Sequence, residues 1–165
     1  MQHGDQPKNI AWDIAPPKEY FDELFRVSKS QIIFGGNYFN LPPTRCFIVY
    51  RKTNIPAKGF SMAPVEYAWT SFFRNAEYIE AFAQSVGKEK RFHPTAKPIV
   101  LYEEILSRFA KPGMKILDTH VGSASSLIAC YRMGFEAYGY EIDEIYYNLA
   151  ASRLKEEMAQ IRMDI

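Results

Sequence analysis

Cysteine is scarce in this chain, with two residues, Cys46 and Cys130, among 165. They lie far apart and match no zinc-ligand spacing, so no metal is expected. They read as buried thiols in a reducing compartment, the cytoplasm. Long apolar runs are missing too. No stretch approaches the roughly 18 residues of a membrane span. Met1 to Asn9 is polar and lacks the apolar core of a signal peptide. The expectation is a cytoplasmic protein with no membrane partner. Nor is charge of one sign in excess: the net charge is +1. That excludes a broad basic field but leaves room for a local basic groove. No internal repeat or low-complexity tract occurs. What remains is a globular balance, 47% hydrophobic and 24% charged, in a length that suits one domain with a real core.

Residues 1–13, broken by Gly4 and Pro7, read as a loose lead-in. Pro16 and Pro17 suit the first turn of a helix, where a missing N–H costs little. Tyr20, Phe21, Leu24, Phe25 and Val27 then recur at helical spacing, predicting a helix from about Pro17 to Ser28. Gln31 to Phe34, closed by two glycines, and Cys46 to Tyr50 read as strands. Residues 51–65 and 83–92 read as loops, with shorter strands over Glu66 to Phe73 and Tyr78 to Phe82. Ile99 to Ala110 is an amphipathic helix stopped by Lys111-Pro112-Gly113. Lys115 to Asp118 is a strand, and Gly122-Ser-Ala-Ser-Ser126 is a small-residue turn opening a helix through Met133. Glu136 to Glu141 is the next strand, and Asp143 caps a final helix to about Gln160. This alternation is the βαβ grammar of an α/β, doubly wound sheet.

The turn after Asp118 carries the chemistry. Small residues there let a backbone approach a ligand closely, and Glu141 ends the following strand where a carboxylate accepts ribose hydroxyls. Each feature alone has an ordinary explanation, a tight turn or a solvated charge. In order and in frame, they predict a nucleoside-bearing ligand across the carboxyl ends of two neighbouring strands. Gly-x-Gly-x-x-Gly is absent, with Ala124 at the second glycine position, which disfavours a dinucleotide.

His93-Pro-Thr-Ala-Lys-Pro98, then a helix, then Asp118-Thr-His-Val-Gly-Ser-Ala-Ser-Ser126 and Glu141-Ile-Asp143, resemble the β-group amino-methyltransferases of DNA, which act on adenine N6 or cytosine N4. Upstream, Glu19 to Lys29, Ile32 to Phe39 and Glu66 to Thr70 resemble phage and prophage members. The resemblance covers residues 12–155. It implies a Rossmann-like S-adenosylmethionine-dependent methyltransferase sheet with helices on both faces, incomplete at the N-terminus, and DNA as partner. On this reading residues 14–92 are a remnant of the catalytic half and 93–160 the cofactor-binding half. Asp118, Thr119, His120 and the turn Gly122, Ser123, Ala124 and Ser125 are expected to line the methionine part of S-adenosyl-L-methionine. Glu141 is expected on the ribose and Ile142 on the adenine. His93, Thr95, Lys97 and Pro98 are expected to close the pocket from the opposite side. A methyl group at position 124 fits the turn only if that residue has φ below zero.

The family's catalytic (Asp/Asn/Ser)-Pro-Pro-(Tyr/Phe) tetrapeptide has no counterpart among the expected site residues. Ala15-Pro-Pro-Lys18 offers neither an acceptor nor a stacking ring, and no catalytic residue is assigned. In the family fold that turn follows a strand beside the one ending at Asp118. Without it, a slot with unpaired backbone groups is expected, filled by residues 8–12, by a second copy of the chain, or by a missing piece of the same protein. For DNA phosphates the sequence offers Arg51, Lys52, Lys58, Lys88, Lys90 and Arg91, although a solvated charged loop is the commoner explanation. Two functions remain open: a truncated or degenerate DNA methyltransferase, or a catalytically silent cofactor-binding or interaction module.

Overall fold

A computed structural model describes residues 14–59, 61–83 and 93–160. The chain divides into two compact units, 14–48 with 67–76 and 49–66 with 77–160. The elements in chain order are α1 (Lys18–Val27), β1 (Ile32–Phe34), a 3-10 turn (Gly36–Tyr38), β2 (Phe47–Lys52), β3 (Val65–Thr70), β4 (Glu77–Ala81), α2 (Ile99–Phe109), β5 (Lys115–Asp118), α3 (Ser125–Arg132), β6 (Glu136–Gly139) and α4 (Glu144–Ala159). Strands β1-β3-β2-β4 form one sheet in that order, and β5-β6 form a second. Strands β2 and β3 each run through both units.

In the first unit, α1 starts after the extended Pro17 and carries Glu19 in its first turn and Arg26 in its last, which complements the helix dipole. Phe21 meets Phe39 at 5.1 Å and Phe25 meets the edge of Trp69 at 5.9 Å. Strand β1 pairs antiparallel with β3, Ile33 opposite Trp69. The expected strand over 66–73 ends at Thr70, because Ser71 turns back to bond Gln31 and Phe73 lies exposed beneath Arg45.

In the second unit, β5 and β6 pair in parallel, with Asp118 opposite Gly139. They are linked by α3, so β5-α3-β6-α4 is the Rossmann-like βαβα unit the sequence predicts. Ile116 and Ala137, on one face of the pair, pack with Leu106 of α2 and Ala129 and Cys130 of α3. Leu117 and Tyr138 point to the other face and are exposed. Among the described residues β5 has β6 as its sole strand neighbour, and residues 8–12 lie outside the described part. The loop expected over 51–65 is shorter than that, since Arg51 and Lys52 continue β2 and Val65 begins β3. Both cysteines are buried. Burial, aided by the charge of Asp118, pushes the Cys130 thiol up to about 11, so it stays protonated and inert. Among the described residues, no helix is long and apolar enough to cross a membrane, and no cluster of His, Cys, Asp or Glu is arranged to hold a metal.

Candidate cofactor site

Two carboxylates organise the carboxyl ends of β5 and β6. Asp118 Oδ1 accepts from the backbone N–H of His120 at 2.9 Å, and Oδ2 accepts from the Ser126 hydroxyl at the start of α3. Glu141 reaches across: Oε2 accepts from Gly122 N at 2.8 Å and Oε1 from Asp143 N at 3.0 Å. Backbone bonds tie the same loops together, Tyr140 N to Asp118 O at 2.9 Å and Val121 N to Tyr140 O at 3.0 Å. Asp118, the last residue of β5, and Glu141, two residues past the end of the adjacent β6, therefore flank the small-residue turn, whose Gly122 amide Glu141 holds. Asp143 caps α4 as expected, accepting from Ile145 N and Tyr146 N.

The His93 box is brought onto this turn. A Cβ placed on Gly122 would lie 3.2 Å from His93 Nδ1, so the imidazole rests directly on that glycine. The ring is buried and meets the Tyr146 ring edge-on at 4.4 Å. Thr95 folds back so that its N–H and hydroxyl lie 3.3 and 3.1 Å from His93 Nδ1. Thr119 and His120 contact each other at the rim, and His120 and Ile142 are exposed. Pro98 is the extended residue from which α2 starts.

Ala124 departs from expectation. Its φ is +61°, in the left-handed region, and it alone among the described non-glycine residues has positive φ. The condition of a negative φ is not met, and the turn keeps the backbone shape of a glycine at a cost of roughly 1–2 kcal/mol. The methyl group is turned away from solvent, packed with Val121 and Ala150. It borders a cavity of about 180 Å³ between α3, β6 and α4. The cavity opens to solvent beside Tyr147, and Glu141 is among its lining residues.

The sequence pattern of the N6/N4 DNA methylase family matches residues 13–152. The chain belongs to that family. Curated relatives include the type II methyltransferase M.HpaI of Haemophilus parainfluenzae, 33% identical over 70 residues, which are 42% of this chain and 22% of the relative. The type II methyltransferase M2.DpnII of Streptococcus pneumoniae is 37% identical over 65 residues, 39% of this chain and 24% of the relative. The chain thus spans about a quarter of the length of these relatives. Among solved structures, the M1.HpyAVI–SAM complex aligns over 65% of this chain and 60% of its own, at 24% identity and a TM-score of 0.49.

Lys97 of the methylase box does not stand alone. Its Nζ lies 3.2 Å from Glu66 Oε2, and Lys52 Nζ lies 2.7 Å from Glu66 Oε1. Burial works to raise the Glu66 pKa, but Lys97 and Lys52 together outweigh it and hold the carboxyl below its ordinary value. Burial also raises the Tyr102 phenol, with the charges of Asp118 and Glu66 adding to the effect. Lys52, itself buried, is consequently engaged by the half-buried Glu66 and is not displayed for phosphate. Arg51 is likewise turned inward, donating to the carbonyls of Lys52, Ile55 (2.8 Å) and Pro64 (3.2 Å). Lys58 is exposed, whereas Lys88, Lys90 and Arg91 lie outside the described residues.

The two Pro-Pro pairs have structural duties. Pro17 precedes the first turn of α1, and Lys18 pairs with Asp22 at 2.5 Å. Sequence reading passed over the second pair, Leu41-Pro42-Pro43-Thr44. Leu41 has no acceptor and Thr44 no ring; the Pro42 carbonyl accepts from Trp69 Nε1 at 2.7 Å and Thr44 Oγ1 bonds the Thr70 carbonyl at 2.6 Å. Also missed were Glu66, Ser126, Tyr146 and Arg153. The last two were findable, because Tyr146, Ala150, Arg153 and Glu157 recur at helical spacing and share one face of α4. Along it Tyr146 meets His93, Ala150 enters the core, Arg153 bonds the turn and Glu157 pairs with Arg132.

Proposed function

We propose that this chain is the S-adenosylmethionine-binding part of a DNA amino-methyltransferase, acting on adenine N6 or cytosine N4. The observation that carries the proposal is the pair of carboxylates, Asp118 and Glu141, at the carboxyl ends of adjacent parallel strands with the small-residue turn pinned between them. The donor set fits such a ligand. Each Glu141 oxygen has a second lone pair after its backbone bond, so Glu141 retains acceptors for a ribose diol. Ile142, the next residue, is 91% exposed and offers an apolar face to a purine. Asp118 and the Gly122–Ser125 turn would hold the positively charged methionine end, and His93, Thr95, Lys97 and Pro98 would wall the opposite side. When bound, the cofactor supplies an electrophilic sulfonium methyl group. The protein's contribution is to fix that group in place and to keep its approach path aligned.

DNA is the proposed substrate of the whole protein. Lys58, with Lys88, Lys90 and Arg91, would contribute phosphate contacts, and neutralising them should flatten the salt dependence of DNA binding. A second reading, a catalytically silent cofactor-binding module that pairs with another copy or chain in the cytoplasm, is favoured by one observation. Neither Pro-Pro pair in the sequence has both an acceptor before it and an aromatic ring after it. Calorimetric titration with S-adenosylmethionine, run beside a methyl-transfer assay on mixed-sequence DNA, tests both. Binding with transfer supports the enzyme, binding without transfer supports the silent module, and failure to bind overturns the cofactor assignment.

A further inference from the structure

The left-handed Ala124 is bracketed by a single side chain. Arg153, on α4, donates from one guanidinium nitrogen to the Ser123 carbonyl at 2.6 Å and to Ser125 Oγ at 3.1 Å. These are the residues immediately before and after Ala124. Both are buried, at 5% and 2% exposure, and their hydroxyls lie 3.1 Å apart. An L-residue with a Cβ disfavours this backbone basin, by a factor of about five to thirty. A charge-assisted bond to each flank opposes that preference, because relaxing Ala124 to negative φ would swing the Ser123 carbonyl away from the guanidinium. We propose that Arg153 is the positioning residue that holds Ala124 in the left-handed conformation, so that an alanine-containing turn keeps a backbone shape that ordinarily favours glycine. The link to ligand binding rests on the cofactor reading above; the conformational coupling does not.

A double-mutant cycle tests it. Arg153→Met keeps the aliphatic stem and removes both donors, and it is made alone and with Ala124→Gly, which makes the left-handed basin accessible without help. Each variant is read by its urea midpoint and by S-adenosylmethionine titration. Arg153→Met should weaken cofactor binding about tenfold in the parent chain and less than about threefold in the A124G background. The urea midpoint should fall more in the parent than in A124G. Should R153M not fold, Arg153→Lys, which restores one donor, carries the same comparison with smaller differences. Equal losses in both backgrounds would mean that Arg153 merely anchors α4 and would overturn the proposal. If the parent chain binds no cofactor, the functional reading falls, and the two urea midpoints still decide on Arg153.

Discussion

Replacing Gly122 with alanine should expose how tightly the His93 box is seated on the turn. Gly122 has φ +54°, so any Cβ pays roughly 1–2 kcal/mol for the left-handed backbone. The added carbon would also sit 3.2 Å from His93 Nδ1 and 3.3 Å from Cε1. The imidazole is buried against Tyr146 and has little room to retreat, so this contact costs about 1 kcal/mol more, at the low end of overpacking penalties. Restricting the unfolded chain returns about 0.5 kcal/mol. The net loss is about 2 kcal/mol, or roughly 4–8 °C in melting temperature for a chain of this length. Gly113 is the control, since its φ is +83° and an added Cβ meets nothing within 4 Å. G113A should therefore pay the backbone cost alone, about 1 kcal/mol less than G122A. Urea denaturation followed by circular dichroism measures both. In an H93A background, the excess cost of G122A should vanish. An excess that persists without the imidazole, or no excess at all, would refute the seating of His93 on Gly122.

Asp118→Ala should remove cofactor binding while the domain still folds, because the lost partners are one backbone N–H and one hydroxyl, worth about 1–3 kcal/mol. Calorimetry on the folded variant checks this, and unchanged affinity would take Asp118 out of the site. Glu66 should give the protein an acid limb. Its pKa in the fold lies below the ordinary 4.5, so its stabilising effect is complete above about pH 4.5 and is lost as pH falls through the lower folded value. Glu66→Gln should flatten that limb and, by stranding Lys52, cost about 2 kcal/mol at neutral pH, a figure discounted for the partial exposure of Glu66. An acid limb unaltered in E66Q would assign it to other carboxylates.

The last third of the fold was legible because its signals are local. Helical spacing, Pro112-Gly113, the small-residue turn and the Asp143 cap each act within a few residues, and α2, β5, α3 and α4 fall close to where they point. Strand β6 stops at Gly139, two residues before the expected Glu141, because Tyr140 and Glu141 have already turned to bridge the loops. The Glu66 cluster was not legible. Its partners Lys52 and Lys97 are 14 and 31 positions away in sequence, and a lysine in a polar stretch reads as solvated until a fold buries it. The backbone of Ala124 was equally hidden, for the side chain that offsets its strain lies 29 positions downstream.

Glu141 has one more consequence. Both its oxygens are already fixed by amides, those of Gly122 and Asp143, so on the proposed cofactor reading nothing on this side must be ordered when a guest arrives. Recognition of the sugar should resemble a key meeting a cut lock. Little conformational entropy is then forfeited on association, and hydrogen exchange at the amides of Gly122 and Asp143 should be slow even before any nucleoside is added.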